Sequence, residues 1–222
     1  MQINEHGHVI DIPEVVTREH QLEYHHRPKG IGDHIAHGLV KFAAFFADAF
    51  FANRYGHRAV VLETVAAVPG MVGGMMQHFR SLRHLEQDRG WIHVLLSEAE
   101  NERMHLMVFT RIARPTMFER LIIVAAQMVF GLSYFLIYVL STRTAHRLAG
   151  YLEEEAIESY TSYLKGVAAG THKNVPAPDF AIHYWSLSPD ARLYDVIVAT
   201  RQDEMMHRDI NHGLADKLRQ HQ

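Results

Sequence analysis

Two short runs of the sequence combine residue types that bind transition metals. Asn101-Glu-Arg-Met-His105 and Asp203-Glu-Met-Met-His207 each place a glutamate three residues before a histidine. On an α-helix, positions i and i+3 share a face, roughly 5–6 Å apart at Cβ. Each pair can therefore bind one metal ion. One such pair is unremarkable in a helical protein with 18 histidines, so it is the repetition that indicates a metal site.

An isolated glutamate precedes each run on another predicted helix, Glu63 before the first and Glu153 before the second. Four-helix bundles hold two iron or manganese ions with one Glu from each of two helices and one Glu-x-x-His from each of the other two. We expect Glu63 and Glu153 to bridge the two ions. The predicted ligands are Glu63, Glu102, His105, Glu153, Glu204 and His207.

Residues next to the predicted ligands can orient them or react with them. Asn101 and Asp203 stand immediately before the chelating glutamates, and Asp203 is predicted to accept a hydrogen bond from a ligating histidine. Tyr160 follows Glu153 by two helical turns and is predicted to stand near the metals as a proton and electron donor. Most other histidines, including His26 and His212, are predicted to lie at the surface.

Helical spacing dominates the chain and predicts the elements that must position these residues. Helices are expected over about 31–54, 58–88, 91–111, 117–140, 145–169 and 189–218. The predicted fold is all-α: a ferritin-like four-helix di-iron bundle with two apolar membrane-interface helices, 31–54 and 117–140. Residues 30–218 are expected to form one domain, and residues 1–29 an N-terminal extension interpreted as a dimer arm. At Pro69 and the glycines that follow, we predict a kink with close approach of a neighbour rather than a helix end.

Composition excludes several classes of site and partner. The chain has 222 residues, a net charge of −3 and no cysteine. Thiolate zinc sites, Fe–S clusters and disulfides are thereby excluded, and a metal must be held by carboxylate and imidazole groups. The net charge argues against a nucleic-acid partner. Residues 1–28 are polar and contain several carboxylates, so we do not expect a signal or mitochondrial transit peptide there.

One stretch, residues 121–140, contains no charged side chain and is long enough to cross a bilayer. A crossing there would place His105 and Glu153 on opposite sides of the membrane, although both belong to one metal site. We therefore expect this helix to lie in the membrane interface or in a dimer contact. The helix over 31–53 carries an apolar stripe, with polar residues off it, and is interpreted as interfacial. The stripe consists of Ile31, Ile35, Leu39, Phe42, Phe46 and Phe50.

Four motifs together closely resemble the alternative oxidase family, the di-iron ubiquinol oxidases. They are Leu62-Glu-Thr64, Asn101-Glu-Arg-Met-His105, Leu152-Glu-Glu-Glu-Ala156 and Arg201-Gln-Asp-Glu-Met-Met-His207. The resemblance implies two iron ions per chain, rather than manganese, on the six predicted ligands. It implies a quinol pocket lined by Arg58, Leu62, Glu155, Ala156 and Ser159, and a network around the metals of Asn101, Tyr160, Trp185 and Asp203. Gln202 departs from the alanine usual in the family, and we expect it to be tolerated.

The function implied by the resemblance is a cyanide-insensitive terminal oxidase without proton pumping. It would oxidise two ubiquinols and reduce O₂ to water. The implied protein is a monotopic homodimer bound to membrane lipid, at the cytoplasmic face of a bacterial inner membrane or at the matrix face of the mitochondrial inner membrane. A bacterial member is the favoured interpretation. The alternatives are a di-iron quinone-ring hydroxylase, a ferroxidase or iron-storage bundle, and a membrane-bound helical protein without chemistry.

Overall fold

The computed structural model of the protein describes residues 2–3, 9–10, 22, 24–51 and 54–220. Over these residues the fold is all-α, as predicted, apart from two short antiparallel strands, β1 (Gln2–Ile3) and β2 (Val9–Ile10). The rest of the predicted extension, up to residue 23, lies outside the described residues except for residue 22. The helices are α1 (Ile31–Phe51), α2 (Tyr55–His84), α3 (Trp91–Ala113), α4 (Met117–Leu140), α5 (Thr142–Ala168), α6 (Asp179–Tyr184) and α7 (Leu193–Gln220).

Two helix pairs form the central bundle: α2 packs along α3, and α5 packs along α7. Side chains from all four helices meet in one buried cluster, in which Phe109 of α3 and Ile197 of α7 are fully buried. Ala59 of α2 and Tyr160 of α5 complete the contact between the two pairs. The central bundle therefore consists of two similar helix pairs, each carrying one isolated glutamate and one Glu-x-x-His pair.

The proline and glycines of α2 mark a close helix contact and not a helix end. The helix continues through Pro69 from Tyr55 to His84. A Cβ atom added at Gly70 would lie 2.3 Å from the carbonyl oxygen of Leu95, far inside van der Waals contact. The predicted close approach of a neighbouring helix is thus confirmed, and it sets how near α3 can bring its ligands to Glu63.

Helix ends differ from the prediction where local backbone chemistry decides them. The α2 helix ends at His84, four residues before the predicted 88, because Leu85 takes a left-handed conformation with φ of 53°. The α5 helix begins at Thr142, where the Ser141 side chain accepts a hydrogen bond from the Thr144 amide at 3.2 Å. The short α6 was not predicted, since six residues are too few to show a helical period.

Helices α1 and α4 lie on the outside of the bundle with long apolar faces exposed. Tyr134 and Tyr138 of α4 are buried against α5, but only 11% of the most apolar part of α4 is buried. By length and composition, α2 and α4 are each apolar enough to cross a membrane, but α2 is mostly buried in the bundle. The predicted stripe of α1 is exposed along its whole length: Ile31, Ile35, Leu39, Phe42, Phe46 and Phe50.

Candidate metal centre

The centre of the bundle gathers all six predicted ligands, none more than 2% exposed. Their ligand atoms fall into two groups, each within 4.8 Å, and the groups share Glu102 and Glu204. The expectation that Glu63 and Glu153 bridge two ions is therefore wrong for this geometry. The glutamates of the Glu-x-x-His pairs occupy the shared positions because they project from α3 and α7 between the two histidines. The groups are Glu63, Glu102, His105 and Glu204, and Glu102, Glu153, Glu204 and His207.

Each histidine directs its Nδ1 atom at the carboxylates. The Nδ1 atom of His105 lies 3.3 Å from Glu102 and 3.2 Å from Glu204. The Nδ1 atom of His207 lies 2.6 Å from Glu102 and 3.6 Å from Glu204. Both histidines thus face the same two glutamates, one from each side, as expected for two adjacent cation positions.

Few hydrogen-bond donors reach the buried carboxylate oxygens at this site. Apart from the two histidine Nδ1 atoms, no group among the described residues donates a hydrogen bond to the side-chain oxygens of Glu102, Glu153 or Glu204. Burying a charged group is costly unless it is paired or binds a metal. Four carboxylates offset the charge of two divalent cations, and the two imidazoles supply a nitrogen donor for each. The donor set therefore fits a pair of metal ions.

In the absence of a cation, the pKa values of the clustered carboxylates and imidazoles depend on one another. Burial raises the pKa values of Glu63 and Glu153 well above the usual range of a glutamate, and the neighbouring carboxylates raise them further. Burial opposes ionisation of Glu102 as well, but the two nearby histidines outweigh it and hold its pKa well below the usual range. The Glu102 charge in turn raises the pKa of both histidines, against the effect of burial. Binding of a cation would release these protons.

A hydrogen-bond network converges on Asp203, beside the cluster. Its Oδ2 atom lies 3.1 Å from the Nε2 atom of His105 and accepts hydrogen bonds from Trp185 Nε1 at 2.8 Å and Asn101 Nδ2 at 3.0 Å. Asn101 also donates to the Tyr184 hydroxyl. The network therefore serves one half of the pseudo-symmetric site, because Asn101 turns to Asp203 instead of to His207.

Tyr160 contacts the same half of the cluster, through Glu63. Its buried hydroxyl donates a hydrogen bond to Glu63 Oε1, while Glu63 Oε2 lies 3.1 Å from His105. The Tyr160 ring stacks on Phe109 with centroids 5.3 Å apart. Packing on Phe109 therefore holds a phenol hydroxyl against a predicted ligand, at the place where the two-turn spacing from Glu153 predicted it.

A second set of buried polar residues, Glu98, Asn211 and His146, adjoins the cluster and was not predicted from the sequence. Asn211 donates to Glu98 Oε1 at 2.8 Å and lies 3.1 Å from His146 Nδ1. Burial raises the pKa of Glu98 to about 7, despite the nearby His207. Glu98 lies one turn before Glu102 on α3, so helical spacing alone places it on the same face as this predicted ligand. Nothing in the sequence marked Asn211 or His146 as its neighbours.

Two histidines predicted to be surface residues are buried instead. His26 is 5% exposed and His212 is 4% exposed, and their rings stack with centroids 4.6 Å apart. Both contact Glu154: His212 through its ring at 2.9 Å and His26 through its backbone amide at 2.8 Å. The surface prediction was wrong because the segment preceding α1 folds against α5 and α7, a contact that the sequence pattern does not indicate.

The predicted quinol-pocket residues lie on α2 and α5. Arg58 and Ser159 are buried, and Leu62 and Glu155 are half-buried. Ala156 packs in the same buried cluster as Ala59 and Val60, so the two helices meet at this level. The two charged residues of the set each form an ion pair with α1: Arg58 with Asp48 and Glu155 with Lys41. Gln202, the departure from the family pattern, is exposed on α7.

Comparison with known proteins identifies the relatives of this architecture. The sequence model of the family described as alternative oxidase matches residues 16–216. The chain belongs to the alternative oxidase family. All six clustered residues and the Asp203 network fall inside the matched region.

Several curated relatives within the family are ubiquinol oxidases by name. The chain is 55% identical over 195 residues to ubiquinol oxidase 2, mitochondrial, of Glycine max, covering 88% of this chain and 59% of the relative. It is 54% identical over 198 residues to ubiquinol oxidase, mitochondrial, of Batrachochytrium dendrobatidis, covering 89% and 63%. It is 56% identical over 195 residues to ubiquinol oxidase, mitochondrial, of Mangifera indica, covering 88% and 61%. The match thus spans about three fifths of each of these relatives.

Proposed function

We propose that the protein is a di-iron quinol oxidase that couples oxidation of two ubiquinols to reduction of O₂ to two waters. Membership of the alternative oxidase family and the names of the relatives support this activity. The observation that carries it is the buried cluster of four glutamates and two histidines, with its unsatisfied carboxylate oxygens. A ferroxidase would use similar ligands, but the exposed apolar faces of α1 and α4 favour a protein at a membrane.

The six clustered residues are proposed to hold two iron ions, with Glu102 and Glu204 available to both because they belong to both groups of ligand atoms. Oxygen chemistry would be supplied by the metals, while the protein provides position and protons. Glu63 with His105 would complete one iron position, and Glu153 with His207 the other. Asp203 would fix the His105 ring through its Nε2 atom.

The quinol is proposed to bind between α2 and α5, beside Glu63. Arg58 and Glu155 would hydrogen-bond the quinol oxygens, and Leu62, Ala156 and Ser159 would contact the ring. Each oxidised quinol gives up two protons and two electrons. Glu155 is proposed to accept a proton, and the Tyr160 hydroxyl on Glu63 is proposed to donate a proton and an electron toward oxygen.

A position at one membrane surface suits an apolar substrate. The exposed faces of α1 and α4 are proposed to enter the interfacial region, so that quinol reaches the pocket from the bilayer. No pumping is proposed, because both halves of the metal cluster must lie on the same side of the membrane. The proposed homodimer would bury a further apolar surface on α2 and α3: Met71, Met75, Phe79, Leu82 and Leu96.

Oxygen uptake by membranes containing the protein tests the activity. With ubiquinol and cyanide present, haem–copper oxidases are blocked and uptake by this protein should continue. Glu102→Ala should abolish the uptake. Glu100→Ala, on the exposed face of the same helix, is the matched control. An oxygenated quinone product without continuous O₂ uptake would instead indicate the hydroxylase. Absence of both activities in the iron-loaded protein would contradict the proposal.

A further inference from the structure

We propose that Lys41 and Asp48 of α1 are positioning residues that hold the two charged side chains of the quinol pocket. This inference rests on the proposed function for the identity of the pocket. Its structural part is a clasp, by which we mean the two ion pairs Lys41–Glu155 and Asp48–Arg58 that join α1 to the bundle. The clasp can be tested without any measurement of turnover.

Two ion pairs of opposite polarity join α1 to the bundle at this place. Lys41 of α1 donates to Glu155 of α5. Asp48 of α1 accepts from Arg58 of α2. Helix α1 therefore contributes a cation to the carboxylate of the pocket and a carboxylate to its guanidinium.

The sequence of α1 separates the two ion pairs from the membrane-facing stripe. Lys41 and Asp48 are seven residues apart, close to two helical turns, so they lie on one side of the helix. Phe42 and Phe46 belong to the exposed stripe and are more than half exposed. Helix α1 thus lies between the proposed membrane surface and the pocket, with its charges turned toward the protein.

The inner member of each pair is mostly shielded from solvent, whereas the outer member is more than half exposed. The Glu155 and Arg58 side chains are 12% and 10% exposed, whereas those of Lys41 and Asp48 are 52% and 59% exposed. A buried charge needs a partner, while a half-exposed charge can return to water at little cost. The ion pairs therefore constrain the pocket side chains more than they stabilise α1.

Space beside the Lys41 pair allows its outer partner to move. A cavity of about 250 Å³ is lined by Lys41 and Glu155, together with His37 of α1 and Glu158 of α5. The Lys41 ammonium can withdraw into this polar space while Glu155 stays in place. A quinol hydroxyl can then replace Lys41 as the partner of the Glu155 carboxylate. The Lys41–Glu155 ion pair thus positions Glu155 before the substrate binds and can open when it does.

Single neutral variants of the holoenzyme test the positioning role. Lys41→Gln and Asp48→Asn should each raise the KM for ubiquinol roughly 3- to 10-fold, the effect of one lost charged contact, with kcat within about twofold. Arg103→Gln removes a charged side chain on α3 that is exposed to a similar extent as Lys41, and it is the control, with unchanged KM. An unchanged KM in both α1 variants would overturn the positioning role.

Hydrogen exchange of the α1 amides tests the clasp independently of activity. Both single variants should accelerate exchange in α1, while Arg103→Gln should not. Lys41→Glu should accelerate hydrogen exchange further. The double variant Lys41→Glu with Glu155→Lys, which swaps the two charges, should restore protection of the α1 amides without restoring the KM. Wild-type exchange rates in Lys41→Gln and Asp48→Asn would overturn the clasp. If the protein oxidises no quinol at all, the proposed function fails, but the exchange results still decide whether α1 is fastened by these pairs.

Discussion

The Nε2 atom of His105 lies 3.1 Å from Oδ2 of Asp203, while the Nδ1 atom of the same ring faces the carboxylate cluster. This relation assigns the two ring nitrogens different tasks. A proton on Nε2 donates to Asp203, which leaves the Nδ1 lone pair for a metal. Trp185 and Asn101 donate to the same Asp203 oxygen and hold it in position.

Asp203→Asn should weaken metal binding without unfolding the helical bundle. The amide can present its NH₂ group to Nε2 and favour the wrong tautomer of His105. Loss of an outer hydrogen-bond partner typically costs 10- to 100-fold in metal affinity, and we expect a loss of about that size. Metal content after equilibration with a graded chelator series measures it. Glu100→Gln, an exposed carboxylate on α3, should bind metal like the wild type; equal affinity in Asp203→Asn would contradict the role of Asp203.

Tyr160→Phe should remove activity while leaving the metals in place. The change deletes only the hydroxyl that donates to Glu63 and keeps the ring that stacks on Phe109. If this hydroxyl supplies a proton, turnover should fall by about 10²-fold or more. Oxygen uptake and metal content are measured on the same preparation. Tyr163→Phe, a buried tyrosine on the next turn of α5, is the control; equal rates in the two variants would remove Tyr160 from the mechanism.

The sequence predicts those parts of this protein that follow from helical spacing. The Glu-x-x-His pairs, the apolar stripe of α1 and the uncharged α4 are local patterns, and each was assigned to the correct helix. The six residues of the buried cluster were therefore predicted to lie together without any knowledge of how the helices pack.

Relations between helices were harder to predict. Which glutamates lie between the two histidines depends on the rotation of α3 and α7 about their axes, so the bridging positions were assigned to the wrong pair. The burial of His26 and His212 depends on a segment without helical period that folds back onto α5. The Glu98–Asn211–His146 contacts join residues 113 and 65 positions apart in the chain, and no local pattern indicates them.

Stability should fall in acid partly because of His146. Burial lowers its pKa from 6.5 to about 4, so the unfolded chain takes up a proton before the folded protein does. This contribution is fully present above pH 6.5 and is lost as pH falls toward 4. At roughly 1.4 kcal/mol per pKa unit, the complete loss is about 3 kcal/mol. Urea unfolding at pH 7 and pH 4.5 should show a smaller pH effect in His146→Gln than in the wild type. The exposed His78→Gln should keep the wild-type pH effect, and an undiminished effect in His146→Gln would refute the assignment.

Gly70→Ala and Gly38→Ala should change stability in opposite directions. At Gly70 the new methyl group would clash with the backbone of α3, 2.3 Å from the Leu95 carbonyl oxygen, and overpacking of this kind costs about 1–3 kcal/mol. At Gly38 a Cβ atom meets nothing within 4 Å, so alanine should stabilise α1 by about 0.4–1 kcal/mol. Denaturant unfolding measures both. A stabilised Gly70→Ala would show that the α2–α3 contact is looser than these distances indicate.

A charge on the outer face of α4 should weaken membrane binding. Leu132 is 66% exposed in the middle of α4, on the side away from the bundle. Its transfer into an apolar environment contributes up to about 1.5–3 kcal/mol, and a carboxylate there must stay hydrated. Leu132→Glu should therefore reduce the fraction that floats with liposomes, while metal content stays at the wild-type level because no residue of the cluster lies on α4. Met206→Glu, at an exposed position on α7, is the matched control and should float like the wild type. If both variants float equally, α4 does not form the membrane surface, and the exposed face must be covered in another way, such as by a second copy of the chain.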